Sequence, residues 1–297
     1  MKITLGPNLY NWPTPEWTDF YARIADEAPV DRVVLGEVIC SKRTPFRTDA
    51  IGEAVERLER AGKEVVLATL ALPTLKREIS EIAELAESER LIEVNDMAAL
   101  HALGGRAHVV GPFINVYNEA TLRVLEETGA RTVCLPPELP AKSIETIAAH
   151  RSAADIEVFA FGRAPLAVSA RCYHARIHNL TKDGCRYVCE NDRDGLEVDT
   201  LDGQHFLAVN GIATMASGVT VLSEELNMLA NAGVSRIRVS PQSCDMVAIC
   251  AAYRDLIDGR IDSAQLLAAV EDQALPGAIV NGYIHGRAGA SRCAPGS

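Results

Sequence analysis

Eight short apolar runs rich in β-branched residues recur along the chain, at 3–8, 32–37, 64–70, 91–96, 107–113, 131–136, 156–161 and 236–241. Stretches of helical periodicity separate most of them. Strands joined through helices pair in parallel, and the crossovers are right-handed. Eight such βα units close naturally into a barrel of about 250 residues, which fits within the 297 present. The expected fold class is α/β, a TIM-like βα barrel forming a single domain over 1–297; an open doubly wound sheet is the alternative. The segment 49–64 illustrates the helical pattern: Ile51, Val55 and Leu58 share one face, and Gly62 is placed to end the helix.

One connection breaks the rhythm. Between the seventh and eighth runs lies an insertion, 163–233, far longer than the others. Long connections inside compact domains usually have a function. This one contains Cys172, Cys185 and Cys189, a DRDGLEVDTLDGQHFLAV stretch with hairpin-like turns, and a helix expected near Val221 to Ala232.

The eight cysteines are too sparse for a disulfide scaffold in a chain of 297. In a reducing compartment, clustered cysteines point to metal binding or catalysis. Cys172, Cys185 and Cys189 fall within 18 residues, spaced by thirteen and four. An iron–sulfur cluster needs soft thiolates, normally four, from loops that can wrap it. Gly184, just before Cys185, would suit a close backbone approach. Connections after the strands of a barrel all emerge at its C-terminal face, so Cys40, beyond the second strand, can meet the insertion there. Cys244, beyond the eighth strand, is its rival. Cys134 within a strand and Cys250 on an apolar helix read as inert buried thiols, and Cys293 lies in a Gly- and Ser-rich tail expected to be disordered. Zinc ribbons favour paired C-x-x-C spacings, which are absent. A radical-SAM run of three cysteines is present only in its first half.

Charge narrows the partners. With 40 acidic and 29 basic side chains, the formal charge of −11 repels phosphate polyanions, so no nucleic acid is expected. The N-terminal MKITLGPNLYNW lacks the order of a secretory signal. No stretch approaches the roughly 20 apolar residues of a membrane span, and a cytoplasmic location is expected. Polar residues at the ends of the expected strands, Asn8, Glu37, Asn95, Asp96 and Gln242, and Arg171, His174, Arg176 and His178 near the cysteines, could line a pocket at the C-terminal face. Glu37 and His174 are the leading substrate-contact candidates. No H-E-x-x-H, G-x-S-x-G, G-x-x-x-x-G-K or strand-to-helix G-x-G-x-x-G motif occurs, and no catalytic residue is assigned.

The stretch EVFAFGRAPLAVSARCYHAR, 157–176, resembles the signature of the collagenase-like peptidases of family U32, roughly E-x-F-x-x-G followed by two cysteines. Glu157, Phe159, Gly162 and Cys172 match it, while Pro165 replaces the usual first cysteine and Ala170 a usual glycine. The wording FGRAPLAVSARC is similar to the branch of that family active in anaerobic ubiquinone biosynthesis. That resemblance implies a 4Fe-4S cluster held by Cys40, Cys172, Cys185 and Cys189, and a heterodimer with a paralogue. It also implies oxygen-independent hydroxylation, prephenate as the hydroxyl donor and no protease activity. A lipid-carrier protein is a further expected partner. Two alternatives are an RNA-base hydroxylase of the same family and a non-catalytic structural metalloprotein.

Overall fold

In the computed structural model, which describes residues 1–294, all eight runs form strands of one closed parallel barrel. The first seven are β1 (Lys2–Leu5), β2 (Arg32–Leu35), β3 (Glu64–Ala68), β4 (Leu91–Val94), β5 (His108–Val110), β6 (Ala130–Cys134) and β7 (Asp155–Gly162). Within the insertion come β8 (Pro165–Val168), β9 (Leu196–Asp199), β10 (His205–Asn210), β11 (Ala213–Ala216) and β12 (Val219–Val221). The eighth barrel strand is β13 (Arg236–Val239), and a short β14 (Ile279–Val280) follows. Closure is made by β13, which pairs in parallel with β1 on one side and β7 on the other.

Helices α1 (Thr14–Glu27), α2 (Thr48–Arg60), α3 (Lys76–Glu87), α4 (Met97–Leu103), α5 (Glu119–Glu127) and α6 (Ala141–Ala149) follow the first six strands. The insertion adds α7 (Tyr173–Ile177) and α8 (Glu225–Asn231), and α9 (Met246–Ile257) and α10 (Ser263–Glu271) complete the set. Apolar side chains on the outer face of the strands and the inner faces of the helices form the main core. In α2, Val55 and Leu58 are buried as the pattern requires. Gly62 ends that helix at φ +78°, which frees the N–H of Lys63 to bond the carbonyl of Leu58 at 3.0 Å.

The barrel interior is charged. Arg238 on β13 donates to Glu157 on β7 at 2.6 Å and also to Glu93 on β4. Strands β4 and β13 are not neighbours in the sheet, so the second contact crosses the barrel. All three residues are buried. Burial, the largest influence, pushes the Glu157 carboxyl up, but the charges of Arg238 and Arg32 and the hydrogen bonding around it together outweigh this and hold the group below its ordinary value.

The insertion folds back over the C-terminal mouth of the barrel. Its antiparallel sheet, in the order β8-β11-β10-β9, sends Ala208, Ile212 and Met215 into an apolar cluster with Val34, Val66 and Val109 of the barrel and with Leu9, Tyr10 and Trp12. Val221, expected within a helix, instead ends β12, which pairs antiparallel with β7; the helix begins at Glu225. Cys293, expected in a disordered tail, is tied down: its N–H donates to Asn281 Oδ1 at 2.7 Å. Among the described residues, no helix is long and apolar enough to cross a membrane.

Candidate metal centre

Strand β2 is followed by Gly36, at φ +130°, where a Cβ would lie 2.9 Å from the carbonyl oxygen of Ala68. Only glycine allows this close passage beside β3. The chain then turns through Glu37, whose Oε1 accepts the backbone N–H groups of Ile39 and Cys40 at 2.9 and 3.0 Å. A 3-10 turn, Ser41–Phe46, follows directly. Cys172 stands at the start of α7, with its Sγ accepting the N–H of Ala175 at 3.4 Å. Cys185 lies in the next loop, and Cys189 in the 3-10 turn Val188–Asn191.

The side chains of Cys40, Cys172, Cys185 and Cys189 line one small cavity, together with Arg43, His174 and Gly211. None of the four is in a disulfide. Lys42 and Phe46 clamp the Cys40 segment to the Cys185 loop. Lys42 Nζ donates to the Lys182 carbonyl at 2.7 Å and to Asp183 at 3.0 Å, and the Phe46 and Tyr187 rings meet edge to face at 4.9 Å. The unusual backbone angles expected at Gly184 fall instead on Asn179, Arg186 and Tyr187, with φ of 55°, 50° and 55°. Left-handed conformations of such residues are strained. Here two in succession turn the chain between Cys185 and Cys189 so that both thiols reach the cavity.

The charged surroundings are buried. Arg43 is 1% exposed; it donates to the Leu9 carbonyl at 2.9 Å and to Asn210 Oδ1 at 3.0 Å, and it pairs with Glu37 at 3.7 Å. Arg47 lies 3.9 Å from the other oxygen of Glu37. Burial pushes the Cys40 thiol up, and the Arg43 charge partly offsets it. Cys172 is raised by burial too, against the N–H of Ala175.

His174 is buried, and its Nε2 lies 2.7 Å from Asp192 Oδ2 while its ring stacks on His178. Burial lowers its basicity, opposed by Asp192. Among the described residues, His174, His178 and Asp192 are the only three His, Cys, Asp or Glu side chains whose ligand atoms all lie within 4.8 Å of one another. No three of the cavity thiols are therefore that close. A single tetrahedral zinc with Zn–S bonds near 2.3 Å needs sulfurs about 3.8 Å apart. Four soft thiols around one cavity are the donor type that zinc and iron–sulfur cores both take.

The other cysteines lie elsewhere. Cys244 lines a surface pocket with Trp12, Arg23 and Met246, and burial with the nearby Asp194 carboxylate pushes its thiol up to about 12. Cys134 and Cys250 are fully buried. Glu37 also lines a crevice bounded by Leu35, Ile51, Leu67 and Ile82. Of the remaining polar residues at strand ends, Asp96 caps α4 by accepting the N–H of Ala98 at 2.7 Å, and Gln242 accepts the Tyr10 hydroxyl at 3.2 Å. Sequence reasoning missed Arg43, whose only signal was its place three residues after Cys40. An open groove past Cys185 is lined by Lys42, Arg77, Arg186 and Tyr187.

Residues 17–292 match the profile of Peptidase family U32, and the chain belongs to that family. No solved structure matches the chain.

Proposed function

We propose that this U32-family protein holds a 4Fe-4S cluster on Cys40, Cys172, Cys185 and Cys189. We further propose that it acts as a UbiV-like subunit, paired with a UbiU-like paralogue, in oxygen-independent hydroxylation during cytoplasmic ubiquinone biosynthesis. The observation that carries the first part is the meeting of four thiols, from segments more than 130 residues apart, around one cavity. The pathway, the paralogue, prephenate as hydroxyl donor and a lipid-carrier protein rest on the resemblance of 157–176.

A cluster with four protein thiolates would supply one-electron transfer and leave no iron open to substrate. The chain's own residues support that division of labour. Ile212 and Met215 fill the barrel mouth, where barrel enzymes build their active sites. Cys185 borders an open groove, which brings the edge of the cavity to the surface where a partner can dock. The acidic balance of 40 against 29 favours a small-molecule or protein partner over RNA.

Co-purification and complementation test the reading. The expected result is a stable heterodimer with the paralogue, and anaerobic ubiquinone only when both chains are present. A monomer that restores anaerobic ubiquinone in cells lacking the paralogue would overturn the assignment.

A further inference from the structure

We infer that Arg43 is the counter-cation of the thiol cavity and holds the reduction potential of its cluster up, a positioning and tuning role that rests on the iron–sulfur reading above. The guanidinium is buried and lines the cavity with all four cysteines. Its NH1 is held by the Leu9 carbonyl and its NH2 by Asn210, while its Nε, also buried, has no hydrogen-bond partner within the protein. Gly211 makes the room: a Cβ there would lie 2.9 Å from the Arg43 NH2. Asn210 is fixed in turn by its own bond to the Leu9 carbonyl at 2.6 Å.

The local charge balance explains why such an arrangement persists. Arg43 and Arg47 face one carboxylate, Glu37, at 3.7 and 3.9 Å, which leaves one positive charge uncompensated in a buried network. Elsewhere on the cavity lining, His174 Nε2 lies 2.7 Å from the Asp192 carboxylate, so that carboxylate is already engaged. An unpaired buried cation is costly unless an anion meets it. Four thiolates around a cluster core are net negative and meet that need. A fixed positive charge favours the more negative, reduced form, so removing it lowers the potential. Arginine suits the role because it cannot lose its proton here.

The test uses full-length protein purified without oxygen, its iron and sulfide content, and a redox titration followed by electron paramagnetic resonance. Arg43→Met is expected to hold its iron with the reduction equilibrium shifted at least tenfold toward the oxidised form, about 59 mV downward for one electron. Arg43→Lys is expected to stay near the wild-type potential. Loss of iron from Arg43→Met but not from Arg43→Lys also supports the charge role. Both variants holding iron at the wild-type potential would overturn it, as would loss of iron from both, which assigns Arg43 to packing. Wild-type protein without a cluster would sink the iron–sulfur reading instead, and is read in the same experiment.

Discussion

The carboxylate of Glu37 accepts the backbone N–H of Cys40 at 3.0 Å, so the residue that ends the second barrel turn also fixes the first cysteine of the cavity. The same oxygen takes the N–H of Ile39, and the group as a whole faces Arg43 and Arg47. Glu37→Ala removes an acceptor for two N–H groups and leaves two buried guanidinium groups unbalanced. It is expected to cost about 3 kcal/mol or more, and Glu37→Gln, which keeps an oxygen acceptor, less. Thermal unfolding of the two metal-free variants measures this, and equal midpoints would contradict it.

The cysteine set makes separate predictions. Cys40→Ala, Cys172→Ala, Cys185→Ala and Cys189→Ala should each lose most of the iron of anaerobically purified protein. Cys134→Ala, Cys244→Ala and Cys250→Ala should retain it, because those thiols lie outside the cavity. Iron stripped by Cys244→Ala but not by Cys40→Ala would reverse the assignment of the fourth ligand.

The charged barrel interior predicts stability. Arg238→Leu strands Glu93 and Glu157 without their cation, and breaking a buried pair in this way costs about 3–5 kcal/mol. For a protein of this size that is a midpoint lowered by roughly 6–10 °C at neutral pH. An unchanged midpoint in calorimetry would show that the pair contributes nothing.

How much of this was visible beforehand follows from which distances matter. The eight strands and the helix of 48–60 were legible because their signals are local: β-branched runs, helical spacing and a closing glycine. That Cys40 and the insertion share one end of the barrel followed from topology alone. The Arg238–Glu93 contact was not legible, since it spans the barrel between strands 145 residues apart. The lone Glu93 of LIEV and the alternation of Arg with apolar residues in RIRV were on the page, but the period does not say which face is polar. Gly184 misled for a related reason: composition marks where the chain can turn, whereas packing of Tyr187 on Phe46 accompanies the turn at a residue no propensity favours.

His108 supplies a pH dependence. It is buried at the start of β5, its Nδ1 lies 2.8 Å from the carbonyl of Arg106, and its buried Nε2 has no hydrogen-bond partner within the protein. Burial lowers its pKa, against the Arg106 carbonyl, so the folded protein prefers the neutral ring. Stability from this group is present above its unfolded value near 6.5 and is lost as pH falls below that, where only the unfolded chain takes the proton. His108→Gln should flatten the fall in unfolding midpoint between about pH 7 and 5. A slope as steep as that of the wild type would contradict the assignment.

The most direct measurement is metal and sulfide analysis of the wild-type chain purified without oxygen, together with its absorption spectrum. Four thiols around one cavity predict a brown protein with broad thiolate-to-iron absorption and close to four irons and four sulfides per chain. One equivalent of zinc with no sulfide would contradict it.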